Sequence, residues 1–211
     1  MPKLFHTVPE GEIPSLESGT HLYAYRRRLL TVYTHHAVVI RLLDLPEQLH
    51  GKVSLCIGWT GTEPDCRSIT PDDVAANTVL VVEQNVKGVQ LATIEAFRRG
   101  HRARRFYYGV PAAEFALKRA GTCSVLPLLE KRLIFDNAAA ALHNPQGWEQ
   151  YKLLSANCEH FAMSICTQAE FSAQILAASL VIRDIFGGAA SVGSQLSTLV
   201  RQPVTHPRDD T

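Results

Sequence analysis

A change of texture at Pro111 constrains this chain more than any other feature. Upstream of it, short runs rich in Tyr, Val and other β-formers are divided by polar and turn residues: THLYAY (20–25), HAVVIRLL (36–43), KVSLCIGW (52–59), VLVVEQ (79–84), GVQLATI (88–94) and RRFYYGV (104–110). Such runs read as strands. Asn85-Val86-Lys87-Gly88 joins two of them with hairpin chemistry. Residues 44–52 read as a turn or short insertion, TGTEPDCRSITPDD (60–73) as a polar loop, and Thr93-Ile94-Glu95-Ala96-Phe97 as a short helix. Downstream, apolar residues recur at helical spacing. PAAEFALKRAG (111–121) opens on Pro and closes on Gly, as helices do. LPLLEKRLIFDNAAAALHN (126–144) and NCEHFAMSICTQA (157–169) continue the pattern. Strands first and helices later define an α+β chain.

The composition suits a globular domain. Of 211 residues, 46% are hydrophobic and 19% charged, enough to bury a core. A net charge of +1 offers no bulk attraction for nucleic acid, and none is expected as a partner. The clusters Arg26-Arg27-Arg28 and 98–105 read as solvated surface, with the second also suited to an anionic lipid surface. Five cysteines without a CxxC pair argue against a disulfide framework and a zinc ribbon. Reduced thiols and a cytoplasmic location are expected, with no secretory signal in MPKLFHTVPEGEIP. No HExxH, GxSxG, P-loop or GxGxxG occurs, so neither a metal nor a cofactor is expected. Residues 1–17 read as a lead-in loop and 18–170 as the domain. Residues 171–200 read as an amphipathic helical segment, too interrupted by Arg183-Asp184 to span a bilayer but suited to peripheral membrane contact. Residues 201–211 read as a flexible tail.

The stretch NCEHFA (157–162) concentrates chemistry at a helix start. Asn157 is a good N-cap, and it places Cys158 in the first turn. There the helix dipole and unpaired N–H groups favour a thiolate. Glu159 reads as a surface residue that complements the dipole. His160 lies about 200° around the helix from Cys158, so the two do not face one another. Cys158 shares a face with Phe161, Ala162 and Ile165, and on this helix alone core packing competes with catalysis. A catalytic reading needs a histidine from elsewhere. His35 and His36, in YTHHAVVI, are available on a strand, where they point to opposite faces.

Three segments together resemble the lecithin:retinol acyltransferase family. SGTHLYAYRRRLLTVYTHHAVVI (18–40) is similar to its opening strands, LLSANCEHFA (153–162) to its NCEHF box, and residues 88–123 to the middle of its plant-type members. The resemblance implies a circularly permuted, papain-like core of the NlpC type, with an antiparallel sheet of five or six strands packed against a Cys-bearing helix. It implies Cys158 as nucleophile and His35 as general base, with His36 in a place usually held by an aromatic residue or a second His. The family's third polar residue is usually a His on a later strand. Here VLVVEQ puts Glu83 at that place by its neighbours, while His50 is nearer by spacing. Tyr23 is a weaker helper, at the substrate or oxyanion. The activity implied is acyl transfer or hydrolysis on lipid esters through a thioester acyl-enzyme. A Cys amidase or peptidase, or a non-catalytic adaptor at a membrane or partner, stand as alternatives.

Overall fold

A computed structural model describes residues 7–28, 31–118, 121–148 and 157–168. The expected helical segment 171–200 and tail 201–211 lie outside the described residues. The strands are β1 (His21–Arg28), β2 (Thr31–Arg41), β3 (Ser54–Thr60), β4 (Glu63–Ser68), β5 (Val79–Asn85), β6 (Gly88–Thr93) and β7 (Ala103–Arg105). The helices are α1 (Glu47–His50), α2 (Pro71–Ala75), α3 (Ile94–Arg98), α4 (Ala112–Leu117), α5 (Lys131–His143) and α6 (Cys158–Thr167). The α+β order expected from the change at Pro111 is what forms.

All seven strands join one sheet in the order β4-β3-β6-β5-β2-β1-β7. This corrects the expected five or six strands. It also corrects the expectation of a wholly antiparallel sheet, because β3 runs parallel to β6. The extra strand is β4, which lies within the stretch read as a polar loop. Its sequence EPDCRS carries no apolar alternation. An edge strand bonded to one neighbour through its backbone needs none. Two other bounds differ: α4 stops at Leu117, before Gly121, and β7 starts at Ala103 and takes in only Arg104 and Arg105 of RRFYYGV.

The central strands are buried on both faces. One face carries Val38, Ile40, Leu80, Val82 and Leu91 against Ile134 and Ala138 of α5 and Phe161, Ala162 and Ile165 of α6. The other carries Ala24, Ala37, Val39, Val81 and Ala92 against Ile94 and Phe97 of α3. Period-two alternation thus feeds two apolar layers. The segment before β1 also docks: Val8 is buried and its N–H donates to the Ala103 carbonyl at 2.9 Å. A 3-10 helix at Glu10–Ser15 follows it.

The register leaves a notch in the middle of the sheet. β2 pairs with β1 along Thr31–Val38. Its pairing with β5 covers only Ala37–Arg41 and ends at Ala37 opposite Glu83. Thr34, His35 and His36 therefore have β1 on one side and no β5 pairing on the other. The N-terminus of α6 reaches this part of β2.

Candidate active site

Asn157 starts α6. Its backbone is extended, and its side-chain oxygen accepts the His160 N–H at 3.0 Å. Cys158 is the first helical residue and is 1% exposed. Its thiol donates to the Thr34 carbonyl at 3.7 Å, in the part of β2 that pairs with β1 but not with β5. The sheet notch and the helix cap together bring the thiol to the strand that bears His35.

His35 stands between Cys158 and Glu83. Its Nε2 lies 2.8 Å from Glu83 Oε2, and its ring also hydrogen-bonds Cys158. A carboxylate only accepts, so Nε2 carries the proton, and Nδ1 is the nitrogen left for the thiol. Burial pulls the His35 pKa down, but the charges and hydrogen bonds of Cys158 and Glu83 outweigh it, and the imidazole is pushed up to about 9. Glu83 is 1% exposed. Burial alone would raise its pKa. His35, Gln90 and Asn85 hold it below the usual carboxylate value instead. Gln90 Nε2 and Asn85 Nδ2 donate to Glu83 Oε1 at 2.7 and 3.2 Å, so the acid is fixed by three donors.

Residues 14–170 match the pattern of the lecithin retinol acyltransferase family. The chain belongs to that family. A curated member of similar sequence, Protein LEAD-SENSITIVE 1 of Arabidopsis thaliana, is 28% identical over 156 residues, covering 71% of this chain and 56% of the relative. The chain thus spans about half the length of the curated relative it matches. No solved structure gives a significant match.

In this lecithin retinol acyltransferase member, His21, His36 and His50 are placed apart from the Cys158–His35–Glu83 row. His36 points to the opposite face, where its Nδ1 lies 2.9 Å from His21 Nε2. His21 Nδ1 lies 2.6 Å from the Tyr108 hydroxyl. Burial holds His21 down to about 3 and His36 well below its ordinary value. Both are neutral structural rings. Tyr23 is opposite His36 in the β1–β2 register and packs on it at 6.0 Å. It therefore stands on the face away from His35, where β-strand alternation puts every second residue. His50 ends α1, and its Nε2 engages the Leu45 carbonyl at 3.0 Å. Of the two third residues considered, Glu83 holds His35.

Two readings of charge are corrected. Glu159 is fully buried rather than a surface residue, because α6 is enclosed on nearly every side. Arg26 is 8% exposed rather than solvated. It points to the His35 face, donates from Nη1 to the Arg98 carbonyl and lies 5.9 Å from the Phe97 ring centre. His35 packs on that same ring at 5.5 Å. Burial lowers the Arg26 pKa to about 10, while Glu83 and Cys158 favour its charge. The second basic cluster is partly tied down: Arg98 pairs with Glu10, Arg99 lies 3.5 Å over Trp59 and Arg104 4.6 Å over Tyr25.

Sequence reasoning missed Arg26, Asn85 and Gln90 as site residues. For Gln90 a signal existed. Pairing Asn85 with Gly88 across the hairpin puts Gln90 opposite Glu83 by counting back along both strands. Among the described residues there is no group of three or more His, Cys, Asp or Glu able to hold a metal ion, and no helix long and apolar enough to cross a membrane.

Proposed function

We propose that this protein is a cysteine-dependent acyltransferase or hydrolase acting on lipid esters, with a sheet-before-helix order of the permuted papain-like kind. The observation that carries the reading is His35 held by Glu83 through one ring nitrogen and facing Cys158 with the other. His35 holds the proton that Cys158 gives up, and the thiolate attacks the ester carbonyl carbon. The carbonyl oxygen becomes an oxyanion near the first N–H groups of α6, with the Cys158 N–H its natural donor. Collapse forms the thioester and breaks the bond to the alcohol, which leaves with the proton from His35. In the second half, water, an amine or an alcohol attacks the thioester, and His35 takes its proton. The acyl group departs on the new oxygen or nitrogen and the Cys158 thiol is restored. Glu83 keeps the imidazole oriented and stabilises its charged form. Residues 171–200 and the exposed part of 98–105 would bring the protein to a lipid surface from the cytoplasm.

The test uses phosphatidylcholine vesicles with labelled acyl chains. Wild type is expected to release or transfer label, through an acyl-protein that hydroxylamine cleaves. Cys158→Ala and His35→Ala are expected to lose both signals. Equal turnover by wild type and Cys158→Ala rejects the reading, and a protein that binds vesicles but never acquires label would be an adaptor.

A further inference from the structure

Cys56 and Cys66 are directly opposed partners on β3 and β4. Cross-strand partners leave a sheet on the same face with Cβ atoms about 4.5–5.5 Å apart. A disulfide needs Cβ atoms about 3.5–4.5 Å apart, a small closure. The local structure makes that closure easy. The register shifts between Cys56 and Gly58, and such a bulge adds twist and play to a strand pair. β4 is the edge of the sheet, bonded to β3 alone. The Cys56 thiol already donates to the Gly58 carbonyl at 3.2 Å, along the bulge. Burial, and then the neighbouring Cys66 thiol with which it hydrogen-bonds, push the Cys56 pKa up to about 11.

The two thiols differ in access. Cys66 is exposed, whereas Cys56 is fully buried in the layer that contains Phe97. An oxidant in solvent therefore meets Cys66 first and leaves Cys56 as the resolving thiol.

We propose that Cys56 and Cys66 form a reversible disulfide under hydrogen peroxide, a thiol modification site separate from Cys158. The Cys66 thiolate attacks one peroxide oxygen, the O–O bond breaks, and hydroxide leaves. The Cys66 sulfur is oxidised to sulfenic acid. The Cys56 sulfur then attacks that sulfur. The S–O bond breaks, the oxygen leaves as water with the thiol proton, and the S–S bond forms. One peroxide is reduced to two waters as two thiols become one disulfide. A thiol reductant reverses the change by exchange. The product ties the outermost strand of the sheet to its buried neighbour.

The test exposes the full chain, as wild type and Cys158→Ser, to stoichiometric peroxide. Remaining thiols are blocked and the protein is digested without reductant. Mass spectrometry is expected to find the Cys56 and Cys66 peptides joined in both proteins, and released by dithiothreitol. The oxidised Cys158→Ser protein is expected to melt about 4 °C or more above its reduced form. Cys66→Ser, a change at an exposed edge position, is expected to abolish both the link and the shift. Sulfinic or sulfonic acid at Cys66 without a cross-link, or a link from Cys66 to Cys158, overturns the proposal. None of these outcomes depends on acyl transfer, so they stand apart from the test of the catalytic reading.

Discussion

His35 donates through Nε2 to Glu83 Oε2 at 2.8 Å across two adjacent strands, although 48 positions separate them in the chain. That bond selects the ring nitrogen that faces Cys158. The carboxylate stays ionised in a buried place because Asn85 and Gln90 also donate to it.

Glu83→Gln is expected to fail through the tautomer of His35. The new amide keeps its oxygen on the Asn85 and Gln90 donors and turns its NH2 toward His35. Nε2 must then accept, and the ring proton moves to Nδ1, the side that faces the thiol. Acyl turnover should fall on the order of 100-fold while the fold persists. Steady-state assays on vesicles, with circular dichroism as the fold control, check this. Unchanged turnover would remove Glu83 from the orienting role.

The charge of His35 gives stability a definite pH dependence. Its folded pKa is about 9, above the ordinary 6.5. The stabilisation is complete below about pH 6.5 and is lost as pH rises through about 9. Each pKa unit corresponds to about 1.4 kcal/mol, so the loss is on the order of 3–4 kcal/mol. Glu83 has the opposite sign: its lowered pKa contributes above the usual carboxylate value and is lost as pH falls through the folded one. Urea unfolding of wild type at pH 6, 7.5 and 9 should show the alkaline fall, and His35→Asn should flatten it.

Arg26 is expected to set the reactivity of Cys158. Its guanidinium is buried on the His35 face, and Cys158 and Glu83 both favour its charge. Arg26→Met removes that positive charge and one of two donors to the Arg98 carbonyl, which keeps the His101 N–H at 2.9 Å. Iodoacetamide should alkylate Cys158 several-fold more slowly at pH 7, and stability should fall by about 0.5–1.5 kcal/mol. Arg26→Lys should recover part of the rate. An alkylation rate that ignores both changes would show a purely structural Arg26.

Asn157→Ala is expected to cost about 1 kcal/mol, the usual loss when an N-cap oxygen is removed. The His160 N–H loses its 3.0 Å acceptor at the turn that holds Cys158. The urea midpoint should drop. Asn157→Asp should retain most of the stability, because it keeps the accepting oxygen and adds a charge favourable at a helix start.

Much of this arrangement was legible before folding was considered. NCEHFA carried the cap and the thiol at the helix start in six residues. The alternation in YTHHAVVI required His35 and His36 to serve different faces, and the turn at 85–88 carried the register that sets Gln90 beside Glu83. Other features left no local trace. β4 is a strand by backbone pairing alone. Glu159 and Arg26 have surface-like side chains whose burial depends on elements far away in the chain.

Sequence by itself determined the local chemistry: strand and helix order, the helix start at Asn157, and the pair of residue types needed for a thiol nucleophile and its base. Periodicity and capping act over a few residues, so they survive in the one-dimensional record. Tertiary structure decided which histidine faces Cys158, that Glu83 rather than His50 holds it, and that Tyr23 stands on the other face. Those outcomes turn on where the β2–β5 pairing stops and on which face α6 covers. Both are set by long-range burial and sheet register, which no short stretch of the chain encodes.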